Sequence, residues 1–166
     1  MIKVGLLGMG TVGMGVAEHL RALPDFEITH VAVRHVTAKR QAYLPEAHFT
    51  RHAVEVVQAH DVDVVVEVMG GVSETAQLIE LALRSGKHVV TANKHVIAQY
   101  GSRLDHVAQQ ANVHLCYEAS VGGGIPILYA LKALLVDDTV VEFAGIVNGT
   151  SNFILSQMSE NAMTYD

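Results

Sequence analysis

The chain has 166 residues; half are hydrophobic, 17% are charged, and the formal net charge is −6. That balance excludes a disordered chain, and the lack of a basic stripe argues against nucleic acid as the main partner. No apolar run approaches the roughly 20 residues that a membrane span needs, and a lone cysteine, Cys116, excludes an internal disulfide.

The opening "MIKVGLLGMG" breaks its apolar run with glycines and shows no small-residue cleavage site, so the chain reads as cytoplasmic. Ile2–Leu7 reads as a buried strand, followed by a helix from Thr11 whose apolar positions Val12, Val16, Leu20 and Leu23 run to Pro24. Glu27–Val33 is β-branched and reads as a second strand; residues 35–50 are polar and irregular, with Pro45 inside. A short helix is expected over Ala53–Ala59, then a central strand over Val62–Val68, "VDVVVEV". Ser73–Ser85 reads as a helix closed by Gly86, and His88–Thr91 as a strand. Residues 94–111 read as helical with a break near Gly101, and Val113–Tyr117 as a strand that buries Cys116 as an inert thiol. Pro126–Leu135 reads as a helix, Thr139–Val147 as a strand and Ser151–Ser159 as a helix.

Alternating strands and helices predict an α/β fold, a Rossmann-type doubly wound parallel sheet. The pattern changes near residues 118–125, which divides the chain into a first domain over 1–125 and the beginning of a second over 126–166. Of the ten histidines the best pair is His48 and His52, spaced i, i+4 if that stretch is helical, with no third ligand near in sequence, and the histidines are read as solvated.

Gly8-Met9-Gly10-Thr11-Val12-Gly13 matches G-x-G-x-x-G between a strand and a helix, the context in which the pattern signals a dinucleotide pyrophosphate. The position after the second strand holds Arg34 instead of an acid, which fits a 2′-phosphate and predicts NADP at least as readily as NAD; Lys39 and Arg40 follow. Lys94, just after the strand His88–Thr91, is expected at the ligand-binding edge of the sheet, where an ammonium holds a carboxylate or polarises a carbonyl.

The motifs "GLLGMGTVG", "VVEVMGG", "VTANK", "YEASVGGGIPI" and "GIVNGTSNFIL", in that order, resemble the N-terminal part of the homoserine dehydrogenases over essentially the whole chain. The resemblance implies an oxidoreductase that interconverts L-homoserine and L-aspartate 4-semialdehyde with NADP or NAD, on the route to threonine and methionine. It implies a Rossmann domain and an α+β substrate and dimerisation domain, with a homodimer as the longer enzyme. It places Gly8–Gly13, Gly70, Gly71, Lys94 and Gly149 by the cofactor, Asn148, Gly149 and Thr150 by the substrate, and Lys94 in catalysis. It also makes "YEASVGGGIP" a monovalent-cation site, usually sodium, ligated by Glu118, Val121, Gly123 and Ile125, and this stretch is equally a hinge between domains. The family pattern continues with an Asp and a Lys for which nothing in residues 1–166 stands, so the chain is expected to be part of a longer enzyme and inactive alone.

Other readings stay open from the residues themselves. One is a sugar or inositol dehydrogenase, which usually carries Glu-Lys-Pro where this chain has "TANK". Another, an aspartate-semialdehyde dehydrogenase, needs a nucleophilic cysteine. The last is a non-catalytic dinucleotide-binding module.

Overall fold

The computed structural model describes residues 1–135 and 139–165, and the chain divides into two units, Met1–Ile125 and Pro126–Asp166. The first unit is built on a six-stranded sheet of β1 (Ile2–Leu7), β2 (Phe26–Ala32), β3 (His48–Thr50), β4 (Val64–Glu67), β5 (His88–Thr91) and β6 (Leu115–Cys116). All neighbours pair in parallel, in the order β3-β2-β1-β4-β5-β6. This is the doubly wound order in which the winding reverses between β1 and β4, and ligands bind beyond the carboxyl ends of the strands at that reversal.

The connecting helices are α1 (Thr11–Arg21), α2 (Ala38–Tyr43), α3 (Ala53–Gln58), α4 (Ser73–Arg84) and α5 (Lys94–Gln110). Strand alternation sends successive side chains to opposite faces. Leu6 and Val66, paired in register, join Ala17, Val31 and Leu44 in one core, on the α1–α2 face. Leu7, Val65 and Val89 join Val56, Ile79, Leu83 and Leu104 in the other, on the α3–α5 face. Leu6 and Leu7 are wholly buried, and each such side chain contributes about 1.5–3 kcal/mol relative to exposure.

Polar ties fasten the second face. Glu80 of α4 binds Arg84 at 2.8 Å and reaches Arg103 of α5. The Arg84 hydrogen bond, with Arg103 adding to it and burial opposing, holds the Glu80 carboxyl below the usual carboxylate range. Lys87 is buried, and its Nζ donates to the carbonyls of Ala59 (2.6 Å) and Val62 (2.8 Å); burial pushes its pKa below the ordinary lysine value.

Several expectations are corrected. Residues 35–50 hold two elements, α2 and β3. Thr37 caps α2 by accepting from Arg40 N, and β3 forms because β2 offers it a register over three residues. Helix α5 runs unbroken through the buried Gly101. Strand β6 is two residues long, and Cys116 is exposed rather than buried. It pairs with Val90, itself 37% exposed, on the part of the sheet face that α1 and α2 do not cover. His48 lies in β3 and His52 precedes α3, so the two share no helix face.

The second unit contains α6 (Ile127–Leu134) and α7 (Gly149–Glu160). No strand forms over the described residues 139–147. A strand needs a partner for its backbone groups, and none pairs with this stretch among the described residues; Val141 is 95% exposed. Residues 136–138 lie outside the described residues.

Candidate functional site

The turn from β1 to α1 is built by glycines with separate steric reasons. Gly8 has φ +99°, and a Cβ there would lie 2.8 Å from Met69 Cα and 2.9 Å from the Val68 carbonyl oxygen. Gly13 packs directly on the Gly8 carbonyl, leaving no space for a Cβ, so α1 approaches β1 only with glycine at this position. Gly10 differs: nothing lies within 4 Å of its hypothetical Cβ. It is the N-cap of α1, it makes no side-chain cap, and the first turn contains no acid. The free N–H groups and positive dipole end of α1 therefore open on empty space, an arrangement that accepts an anion.

That space is a cleft of about 1260 Å³ lying at the carboxyl ends of β1, β2 and β4. Gly8, Met9, Gly10, Arg34, Gly70 and Gly71 all line it. Met9 contributes backbone only, since its residue is 2% exposed and its side chain packs in the core. Thr11 and Val12 are exposed at the start of α1, outside the lining; Gly13 is buried behind it.

Three arginines line the cleft: Arg34 after β2, Arg40 on α2, and Arg51 after β3. Glu74 of α4 contributes the acid. The Arg40 guanidinium is already committed, donating to the carbonyls of His35 (2.6 Å) and Met9 (3.2 Å), which fastens α2 to the glycine turn. Arg34 and Arg51 are exposed. Sequence reasoning missed Arg51 because it lies in the stretch next to the unrecognised β3, whose short edge register brings it to the cleft.

On the β4 side, Gly70 and Gly71 have φ values of +80° and +81°. Their carbonyls accept from Thr75 Oγ1 (2.6 Å) and Asn93 Nδ2 (2.8 Å), respectively. Asn93 also caps α5, its side chain accepting from Val96 N. Lys94 is the first residue of α5, exposed at the carboxyl end of β5, and does not line the cleft. It is tied to the cleft's loop by its neighbour Asn93.

Glu118 begins a single 3-10 turn, Glu118–Ser120, and the Glu118 carbonyl accepts from Val121 N at 3.1 Å. Gly122 and Gly123 follow with φ +70° and +62°, and Ile125 N donates to the Gly122 carbonyl. Two consecutive left-handed residues curl the backbone tightly. The donors on offer at Glu118, Val121, Gly123 and Ile125 are oxygens, the chemistry a hard cation takes. In the second unit, the Asn148 side chain caps α7 by accepting from Ser151 N (2.8 Å); Gly149 and Thr150 open that helix and are exposed.

The sheet order, the glycine turn and the open N-terminus of α1 define a dinucleotide-binding domain of the Rossmann class. The family model described as "Homoserine dehydrogenase, NAD binding domain" matches residues 8–118, and that of "Homoserine dehydrogenase" matches residues 126–166. The chain therefore belongs to the homoserine dehydrogenase family. It is 44% identical to the homoserine dehydrogenase of Bacillus subtilis (strain 168) and 41% identical to that of Synechocystis sp., in each case over 99% of this chain and 40% of the relative. The crystal structure of a homoserine dehydrogenase from Thiobacillus denitrificans superposes with a TM-score of 0.85 at 42% identity, covering 98% of this chain and 39% of that one. The chain thus spans about 40% of the length of the curated relatives it matches.

Proposed function

We propose that the chain supplies the cofactor-binding portion of an NAD(P)-dependent oxidoreductase that interconverts L-homoserine and L-aspartate 4-semialdehyde, in threonine and methionine biosynthesis. The observation that carries this reading is the glycine turn open at Gly10 onto the cleft, in a chain whose curated relatives are homoserine dehydrogenases. The bound nicotinamide supplies or accepts the hydride. The chain's own residues bind and orient. The α1 N-terminus holds the pyrophosphate. Arg34 and Arg51 offer the charge that a 2′-phosphate needs, favouring NADP over NAD. Lys94 places an ammonium where a substrate carboxylate or developing alkoxide is held.

Within the same reading, Asn148, Gly149 and Thr150 contribute to the substrate side. Glu118, Val121, Gly123 and Ile125 hold a monovalent cation, and the chain comprises a cofactor domain over 1–125 and the beginning of an α+β domain over 126–166. The working enzyme is a cytoplasmic homodimer.

The test is a chimaera in which residues 1–166 replace the matching part of the Bacillus subtilis relative, assayed for homoserine-dependent reduction of NADP. Turnover that falls at least a hundredfold on Lys94→Ala supports the reading. A folded chimaera that binds dinucleotide but leaves homoserine unoxidised contradicts it.

A further inference from the structure

Glu67 is wholly buried at the end of the central strand β4, in the register row Leu7–Glu67–Thr91 of three adjacent strands. The other residues of that strand are all valine. Burying a carboxylate costs several kcal/mol unless it is fully hydrogen-bonded, and an apolar side chain of similar volume avoids the cost. An acid here needs a reason beyond packing.

Its hydrogen bonds supply one. Oε1 accepts from Met69 N (2.9 Å) and Gly70 N (3.3 Å), the amides of the loop that lines the cleft. Oε2 accepts from Thr91 Oγ1 at 2.6 Å. The same Thr91 Oγ1 accepts from Asn93 N (3.0 Å) at the head of α5. On the cleft side Gly70 has open space around its Cβ position, so nothing there fixes its left-handed backbone. The loop is held from behind, by Glu67 on its N–H groups and by Thr75 and Asn93 on its carbonyls. One continuous set of bonds therefore runs from Gly70 through Glu67 and Thr91 to Asn93, next to Lys94.

We propose that Glu67 is a positioning residue that couples the Met69–Gly71 loop of the cleft to the start of α5, so that the dinucleotide-binding loop and Lys94 are set in place together. Glu67 touches neither ligand nor reacting atoms; it acts through the loop and through Thr91. The proposal rests on the dinucleotide reading of the cleft, but the coupling itself is readable without ligand.

The experiment uses the 166-residue chain and three variants: Glu67→Gln, Thr91→Val and the double variant. Nitrogen–proton spectra of the free proteins read the coupling. Thr91→Val should shift the Met69 and Gly70 amides, and Glu67→Gln should shift Asn93 and Lys94, although neither substitution lies next to those residues in sequence. Changes confined to each variant's own loop would overturn the proposal. NADPH titration then reads the consequence. Each single variant should weaken binding about tenfold with the fold intact, and the double variant by clearly less than a hundredfold, because both act through one bond. Multiplicative losses, or binding within twofold of the parent chain in both single variants, would also overturn it. If the unsubstituted chain binds no dinucleotide, the reading of the cleft fails, and the amide shifts alone decide the coupling. Should Glu67→Gln not fold, Thr91→Val decides by the same shifts at Met69 and Gly70.

Discussion

Gly13 lies directly on the carbonyl of Gly8, so that the first and third glycines of one short motif form the contact between α1 and β1. The third glycine is required by packing, whereas Gly10, in open space, is free to admit a ligand. Gly13→Ala must therefore push α1 away from the sheet. Overpacking of this kind typically costs about 1–3 kcal/mol. Urea denaturation should show a loss in that range for Gly13→Ala and less than about 0.5 kcal/mol for Thr11→Ala, at the exposed first residue of α1.

Arg34 makes cofactor choice testable. It lines the cleft just after β2. A charge-assisted hydrogen bond contributes about 1.5–3 kcal/mol, so Arg34→Asp should weaken NADPH binding by roughly tenfold to a hundredfold and strengthen NADH binding. Nicotinamide fluorescence titrations measure both constants. An unchanged ratio would place the 2′-phosphate elsewhere, with Arg51 as the next residue to substitute.

Lys87 gives a pH dependence of definite sign. Burial lowers its pKa in the folded chain from the ordinary 10.5, with Asp63 and Asp61 partly opposing the shift. The unfolded chain then binds this proton more tightly. The Lys87 contribution to stability therefore rises with pH from the lowered folded value up to about 10.5, and is least favourable below that window. Unfolding free energies measured from pH 8 to 10.5 should climb more steeply for the parent chain than for Lys87→Met. Parallel profiles would show that the ammonium is not strained by its burial.

The cation is tested by stability as well. A ligand that binds only the folded state stabilises it by RT ln(1 + [L]/Kd), about 2.7 kcal/mol at a hundredfold excess over Kd. Replacing sodium chloride with choline chloride at constant ionic strength should lower the melting temperature, and Gly123→Ala, at φ +62°, should abolish the difference. A melting temperature indifferent to the cation contradicts the site.

The sheet was legible wherever burial wrote a strong pattern. The valines of β4, the glycine turn after β1 and Gly86 after α4 each carry a local physical reason that needs no tertiary information. The elements α2 and β3 were not, because a six-residue helix and the three residues "HFT" at a sheet edge owe their form to β2 rather than to their own periodicity. Over 139–147 the valines suggested a strand, yet propensity alone forms none without a partner. At the cleft, Arg34 was legible from its position after the second strand, whereas Gly70 and Gly71 read locally only as a turn and were placed by the family resemblance. The signal for Glu67 was present as an acid at the end of an otherwise all-valine strand, but its meaning depended on Thr91 being its registered neighbour.

Every functional proposal above depends on the cleft at the ends of β1, β2 and β4 binding a nicotinamide dinucleotide through the open N-terminus of α1. Titrating the nitrogen-labelled chain with NADPH tests it most directly. Saturable binding at one site is expected, with the amides of Gly8, Gly10, Arg34, Gly70 and Gly71 moving together and those of β6 unaffected. A folded chain that shows no saturable shifts, or shifts gathered away from these residues, contradicts it.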